Sequence, residues 1–235
     1  MIGEVVVAAL RVAHEVIVVD SGSTDGTVEI AERAGARVIH QEWLGNGHQK
    51  RVGEDACIHD WLLDLDADEV ITPAFANEVA ALFADGEPAV HVYRTPLALV
   101  PPVGQPWLRF GLQSRHKLYD RRVMRAPADD IWDQFELGDA HNIGFLESPI
   151  LHHAFAGAGQ FIDKVNQHST TRANALAPRS GVYLALRIVL GLPFYFAKKY
   201  VLQGYWRGGI YGFAVAMISA QGRWFRDVKM WEQKR

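Results

Sequence analysis

Over its first seventy residues the chain alternates short apolar runs with polar, glycine-bearing stretches, and the spacing of the apolar positions predicts the elements. The run EVIVVD, Glu15 to Asp20, is short and β-branched, closes on a carboxylate and is followed by the turn-forming SGSTDG, so it predicts a buried strand. TVEIAERAG predicts a helix: Thr24 or Asp25 is placed to cap it, Val28, Ile30 and Ala31 give it an apolar side, and Gly35 ends it. ARVIH, Ala36 to His40, predicts a second strand. The loop EWLGNGHQKR leads to a helix expected near Gln49 to His59, and WLLDL predicts a third strand. Strands separated by short helices pair in parallel through right-handed crossovers, so the pattern predicts an α/β, mostly parallel, Rossmann-like sheet flanked by helices. Ligands of such sheets bind beyond the carboxyl ends of the strands, where Asp20 and Asp66 fall.

The end of the chain is patterned differently. VYLALRIVLGLPFYFAKKYVLQGYWRGGIYGFAVAMISAQGRWF is apolar and aromatic, yet Arg187, Lys198, Lys199 and Arg207 interrupt each window of the roughly 20 residues a transmembrane helix needs. The expectation is a segment that lies on a membrane rather than spans it. Charge sharpens the contrast. From Gly181 onward there are nine Lys and Arg against two Asp and Glu, whereas the residues before it hold fifteen against twenty-five. The chain divides accordingly into an acidic globule, residues 1–160, and a helical, basic and aromatic extension, residues 161–235.

At 235 residues and 49% hydrophobic content the chain can bury a real core. Its single cysteine, Cys57, falls in a helical stretch and reads as a small core residue in a reducing compartment. Glu4 precedes the apolar run Val5 to Leu10 without a basic flank, which argues against a signal peptide. The expected location is cytoplasmic, peripherally associated with the inner face of the cell membrane, with an anionic membrane surface as partner and no nucleic acid.

The stretch LLDLDADEV sets Asp64, Asp66, Asp68 and Glu69 almost side by side, and carboxylates so close repel one another unless a cation or water sits among them. Asp66 and Asp68, at a strand exit, offer oxygen donors that suit Mg²⁺ or Mn²⁺ shared with a diphosphate. An EF-hand starting at Asp64 would need Gly at its sixth position and Glu at its twelfth, and meets Glu69 and Phe75 instead. A phosphatase of the haloacid dehalogenase type begins with a strand and D-x-D-x-[TV], which Asp66 to Val70 match, but that fold carries its nucleophile on an early strand.

VIVVDSGSTDGTVEIAERAGARVIHQEWLGNGHQK followed by DWLLDLDADEVIT resembles family 2 glycosyltransferases of the GT-A fold, in particular the branch that builds lipopolysaccharide cores and related envelope glycans. The likeness covers roughly residues 2–155, and the pairing of VDSGSTDGT with LDADE is what makes it specific. It implies transfer of a hexose from a nucleotide diphosphate sugar, usually UDP-linked, to a hydroxyl of a glycan or glycolipid acceptor, with inversion. A phosphatase, or a truncated sugar-nucleotide-binding protein without turnover, are the alternatives.

By position, the resemblance implies that Asp20 contacts uracil or ribose with the turn Ser21, Gly22, Ser23 and Asp25 beside it. Lys50, following Gln49, matches the family's QK and would offset phosphate charge. Asp66 and Asp68 would hold the metal, with Asp66 also meeting the donor and His152 as a further ligand. The base that takes the acceptor proton is assigned to Asp133, in DDIWDQFEL, with Glu136 and Asp130 behind it. Arg115, His116 and Lys117 resemble a basic strand of the family that meets acceptor or phosphates. Plainer readings stand beside these: a capped strand-to-helix turn, a solvated lysine, an acidic surface turn, a structural histidine and a basic strand edge. Family members also begin with one more strand, so Met1 is expected to enter the fold one strand late.

Overall fold

The structure, a computed structural model, describes residues 1–129, 142–177 and 179–234. It falls into two compact units, Met1–Ala98 with Gln113–His152, and Leu99–Leu112 with His153–Arg235.

In the first unit, α1 (Ile2–Ala9) precedes β1 (Ile17–Asp20), α2 (Thr27–Arg33) and β2 (Arg37–His40). The two strands pair in parallel, from Ile17 opposite Arg37 to Asp20 opposite His40. Ile2, Val6, Ala31 and Ala36 form their buried core with Val16, Val18 and Val38 against it. Gly35 closes α2 at φ 103°, and a Cβ there would stand 3.1 Å from Leu10, so the turn requires glycine. α3 (Asn46–Ala56) begins three residues earlier than expected, directly after Gly45 at φ 109°, and ends earlier too. The Ile58 N–H donates to Glu15 Oε1 at 2.6 Å instead of continuing the helix.

The third predicted strand, β3 (Trp61–Leu63), joins a different sheet. The α/β class stands, but the pairing is more mixed than expected. β3 runs antiparallel to β6 (Gln113–Asp120), which runs antiparallel to β5 (Val92–Leu99). β4 (Glu69–Ile71) is antiparallel to β8 (Ile150–His152), and β7 (Gly144–Phe145) is parallel to β5. The order is β3-β6-β5-β8-β4 among the described residues. The crossover rule binds strands that share a sheet; after α3 the chain enters a sheet whose other strands come later. α4 (Pro73–Leu82) packs on it, started by Thr72, whose Oγ1 accepts from the Phe75 N–H at 3.1 Å, and by Pro73 in its first turn. Phe75, Val79, Ile71, Leu118 and Ile150 fill the core beneath.

The second unit is helical: α5 (Ala158–Ala175), α6 (Gly181–Ala197), a π-helical turn Lys198–Leu202, a 3-10 turn Tyr205–Gly208 and α7 (Gly209–Glu232). Ser180 caps α6 by accepting from the Tyr183 N–H at 3.3 Å. The fully buried Asp227 of α7 ties α6 down, accepting from Arg187 Nε at 3.0 Å and from the Tyr195 hydroxyl at 2.7 Å. Trp224 Nε1 donates to the Ile188 carbonyl at 2.9 Å. Trp107, Phe155, Tyr205, Val215 and Ala216 form a second core. By length and composition alone, Gly181–Leu202 is long and apolar enough to cross a membrane, although Arg187, Lys198 and Lys199 fall within it as the sequence expectation holds.

Candidate active site

The turn after β1 is organised by its own carboxylate. Asp20 is buried, and its Oδ2 accepts from the Gly22 N–H at 2.8 Å and the Ser23 N–H at 3.1 Å. Hydrogen bonds from Ser23 and Gly22 hold its pKa below the usual carboxylate value against the opposing effect of burial. Ser21, Gly22, Ser23 and Asp25 are exposed on this turn, and Asp25 accepts from the Thr27 hydroxyl at 2.6 Å. α3 reaches the same turn through Gln49, whose Nε2 donates to Ser21 Oγ and to the Gln41 carbonyl. Gln49 Oε1 is buried with no hydrogen-bond partner among the described residues.

One turn of helix beyond the glycine loop, Lys50 turns toward the acidic stretch. Its Nζ lies 2.7 Å from Asp64 Oδ2 and 3.2 Å from Asp66 Oδ1. A second ammonium arrives from β6: Lys117, 2% exposed, sets Nζ 2.6 Å from Glu69 Oε2 and 3.8 Å from Asp66 Oδ2. Glu69 Oε2 also accepts from the Asp66 N–H at 3.0 Å, closing the loop between β3 and β4 on itself. Burial alone would raise the Asp66 pKa, but Lys117 and Lys50 outweigh it and hold the carboxyl well below its usual range. Glu69 is pushed up to about 7, chiefly by burial and also by Asp66. Burial would lower Lys117; Asp64, Asp66 and Glu69 together raise it, so it stays charged.

The two lysines answer the repulsion posed by the four carboxylates. They neutralise Asp64, Asp66 and Glu69, whereas Asp68 faces another way. Its Oδ1 lies 3.6 Å from His152 Nε2, with both side chains partly exposed. That meeting follows from strand register, because Glu69 stands opposite His152 in the β4–β8 pair. Asp66, Asp68 and His152 thus belong to one loop region. Among the described residues, no group of three or more His, Cys, Asp and Glu side chains is gathered to hold a metal. Of the two groups turned away from the lysines, the Asp68 carboxylate fits a hard divalent ion and the His152 imidazole is a softer nitrogen donor, while the Asp66 oxygens face ammonium groups. Asp130, Asp133 and Glu136 lie outside the described residues.

Sequence reasoning grouped Asp64 and Glu69 with Asp66 and Asp68 but missed the lysines that pair with them, and it read Lys117, with Arg115 and His116, as meeting acceptor or phosphates. Arg115 instead donates along its own strand to Gln113 Oε1 at 3.1 Å. His116 is kept toward its neutral form by burial and by Arg94 and Arg115. Position along β6 distinguishes them: Lys117 begins its continuously buried half, QSRH being the more exposed part of the strand.

Residues 1–136 match glycosyl transferase family 2, and the chain belongs to that family. It is therefore a glycosyltransferase, and the phosphatase alternative is not favoured. The chain is 29% identical over 231 residues to an uncharacterized glycosyltransferase of Rickettsia felis, covering 94% of this chain and 82% of that one. It is 26% identical over 238 residues to the lipopolysaccharide core biosynthesis glycosyltransferase LpsC of Rhizobium meliloti, covering 97% and 86%. Among solved structures, S. aureus TarS 1-349 is 16% identical with TM-score 0.47, covering 100% of this chain and 87% of that one.

Proposed function

We propose that this glycosyltransferase moves a hexose from a nucleotide diphosphate sugar, with UDP as carrier, to a hydroxyl of a lipid-linked or lipopolysaccharide-core glycan, with inversion. The observation that carries the reading is the charge balance of the loop between β3 and β4. Three carboxylates, Asp64, Asp66 and Glu69, face two ammonium groups, Lys50 and Lys117, and Asp68 stands apart from them beside a partly exposed His152, so the loop holds more carboxylates than ammonium groups. That surplus suits Mg²⁺ or Mn²⁺ shared with the donor diphosphate. Asp68 and His152, with Asp66 behind them, are the residues proposed to hold the ion, which would neutralise the leaving diphosphate.

The chain's own groups supply the rest. Asp20 keeps the exposed turn Ser21 to Asp25 in one conformation for the nucleoside, and Gln49 Oε1 is an open acceptor beside Ser21. Lys50 already lies between Asp64 and Asp66, where a diphosphate oxygen would add to its ionic partners. Asp133 is proposed to take the proton from the attacking hydroxyl. The name of the Rhizobium relative supports the acceptor class. A glycan still held on lipid places the work at the inner face of the cell membrane.

The test is release of UDP from UDP-hexoses with Mn²⁺, with and without a lipopolysaccharide-core acceptor, and with the anomeric configuration of the product read by NMR. Acceptor-dependent release and an inverted linkage are expected. Donor binding without release would favour a binding protein.

A further inference from the structure

We infer that α6 lies in the plane of a single membrane leaflet, with its outward stripe sunk among acyl chains and anionic headgroups gathered at its C-terminal end. The stripe is made by Val182, Leu186, Val189, Leu190 and Phe194. Spacings of four, three, one and four put them on one face of the helix. They are among its most exposed residues, with Val182 84%, Val189 74% and Phe194 63% exposed. From Val182 to Ala197 the exposed positions are apolar apart from the Tyr183 hydroxyl, over about 22 Å of helix. The apolar surface continues past the π-helical turn through Leu202, Trp206 and Ile210, which is 92% exposed.

An unpartnered face of this kind could meet a second copy of the chain or a lipid leaflet, and charge separates the two. From Gly181 to Arg226 there are six Lys and Arg and no carboxylate. Lys198 and Arg207 are exposed where the stripe ends, and the tryptophan beside Arg207 is exposed with it. Two such rims facing each other would repel, whereas anionic headgroups complement them. The opposite face of α6 decides between lying and spanning. Leu184, Gly191 and Tyr195 are buried there, and Arg187 and Tyr195 are bonded to the buried Asp227. α7, held alongside, carries Gln221, Arg223, Arg226 and Lys229. A spanning α6 would have to draw these groups into hydrocarbon or break its bonds to Asp227. An in-plane helix keeps the bonds and still buries the stripe.

The full chain tests this with vesicles of phosphatidylcholine alone or mixed with phosphatidylglycerol. In a Cys57→Ser background, Val182→Cys and Phe194→Cys are labelled singly with an environment-sensitive fluorophore, and their depth is read with spin-labelled lipids. Equal, shallow depths at both positions on the mixed vesicles are expected; one label near the midplane or beyond it overturns the in-plane arrangement. Leu186→Glu with Val189→Glu should reduce flotation by at least about tenfold while circular dichroism and melting stay as in the parent. Lys198→Gln with Arg207→Gln should weaken binding about 25-fold on mixed vesicles alone. Undiminished flotation of the double glutamate variant overturns the proposal, and so does a stripe that is shielded by self-association in lipid-free solution. None of these readouts needs donor or acceptor, so the inference can fail while the sugar-transfer reading stands, and the reverse.

Discussion

Lys117 holds its ammonium 2.6 Å from Glu69 in a pair whose side chains are 2% and 1% exposed. A buried pair of this kind is weak evidence for net stability, because the desolvation of both ions opposes their attraction. What it does supply is position: the same Glu69 oxygen accepts from the Asp66 N–H, so the pair fixes the backbone from which Asp66 and Asp68 project. Lys117 is a positioning residue for the loop.

Removing one partner leaves the other stranded, so Lys117→Met should cost about 3–5 kcal/mol in urea unfolding. Glu69→Gln keeps an acceptor for the Asp66 N–H and removes the charge. Combined with Lys117→Met it should recover part of the loss, giving a coupling energy above about 1 kcal/mol in a double-mutant cycle. Strictly additive losses would show that the two side chains do not act as a unit.

Asp68 and His152 are partly exposed and lie outside the lysine network. Asp68→Asn and His152→Gln should each lower Mn²⁺ affinity by about tenfold or more, followed by the electron paramagnetic resonance signal of free Mn²⁺, with little change in the urea midpoint. Wild-type affinity in both would remove these side chains from the metal site.

Asp133→Asn should depress turnover by roughly 10²–10⁴ and leave UDP affinity nearly unchanged. If Glu136→Gln does so instead, the base stands three residues further along. Small, equal effects would take the whole segment out of proton transfer.

Glu78 accepts from the Glu147 and Ser148 N–H groups, each at 2.8 Å, and these bonds outweigh burial to hold its pKa below the ordinary value of 4.5. The folded chain then binds fewer protons than the unfolded one near that pH. The contribution is full above the unfolded value and is lost as pH falls through the folded one. Glu78→Gln should therefore be less stable than the parent at pH 7, by about 1–2 kcal/mol, and the gap should narrow below roughly pH 4. Melting curves at the two pH values check this; a gap independent of pH would mean that the charge is not what matters.

β1, α2 and β2 were legible because each is a short run whose ends carry their own signals: a carboxylate before SGSTDG, an apolar side, and a glycine at a position that excludes Cβ. The partner of Trp61–Leu63 was not. Periodicity says which face of a strand is buried, not which strand lies beside it, and β6 is about fifty residues away. The site divides in the same way. The repulsion among four carboxylates announced a cation, but not that two of the cations would be lysines, one delivered by β6. Likewise, residues 99–112 belong with the C-terminal helices because Trp107 packs in their core, edge-on to Tyr205 at 5.2 Å. Nothing local to that stretch says where its tryptophan will go.

The antiparallel pairing of β4 with β8 has a consequence for how this enzyme can vary. Strand side chains alternate, so His152 reaches Asp68 while its neighbour Leu151, opposite Val70, packs against the core. Losing or gaining a single residue between Phe145 and Ile150 would exchange those two faces, turning an imidazole inward and a leucine toward the carboxylate. A substitution at the exposed Glu147, whose contact with Glu78 is made by its backbone N–H, leaves the arrangement standing. A one-residue change in the length of that turn does not, so the lineage is freer to vary what this turn contains than how long it is.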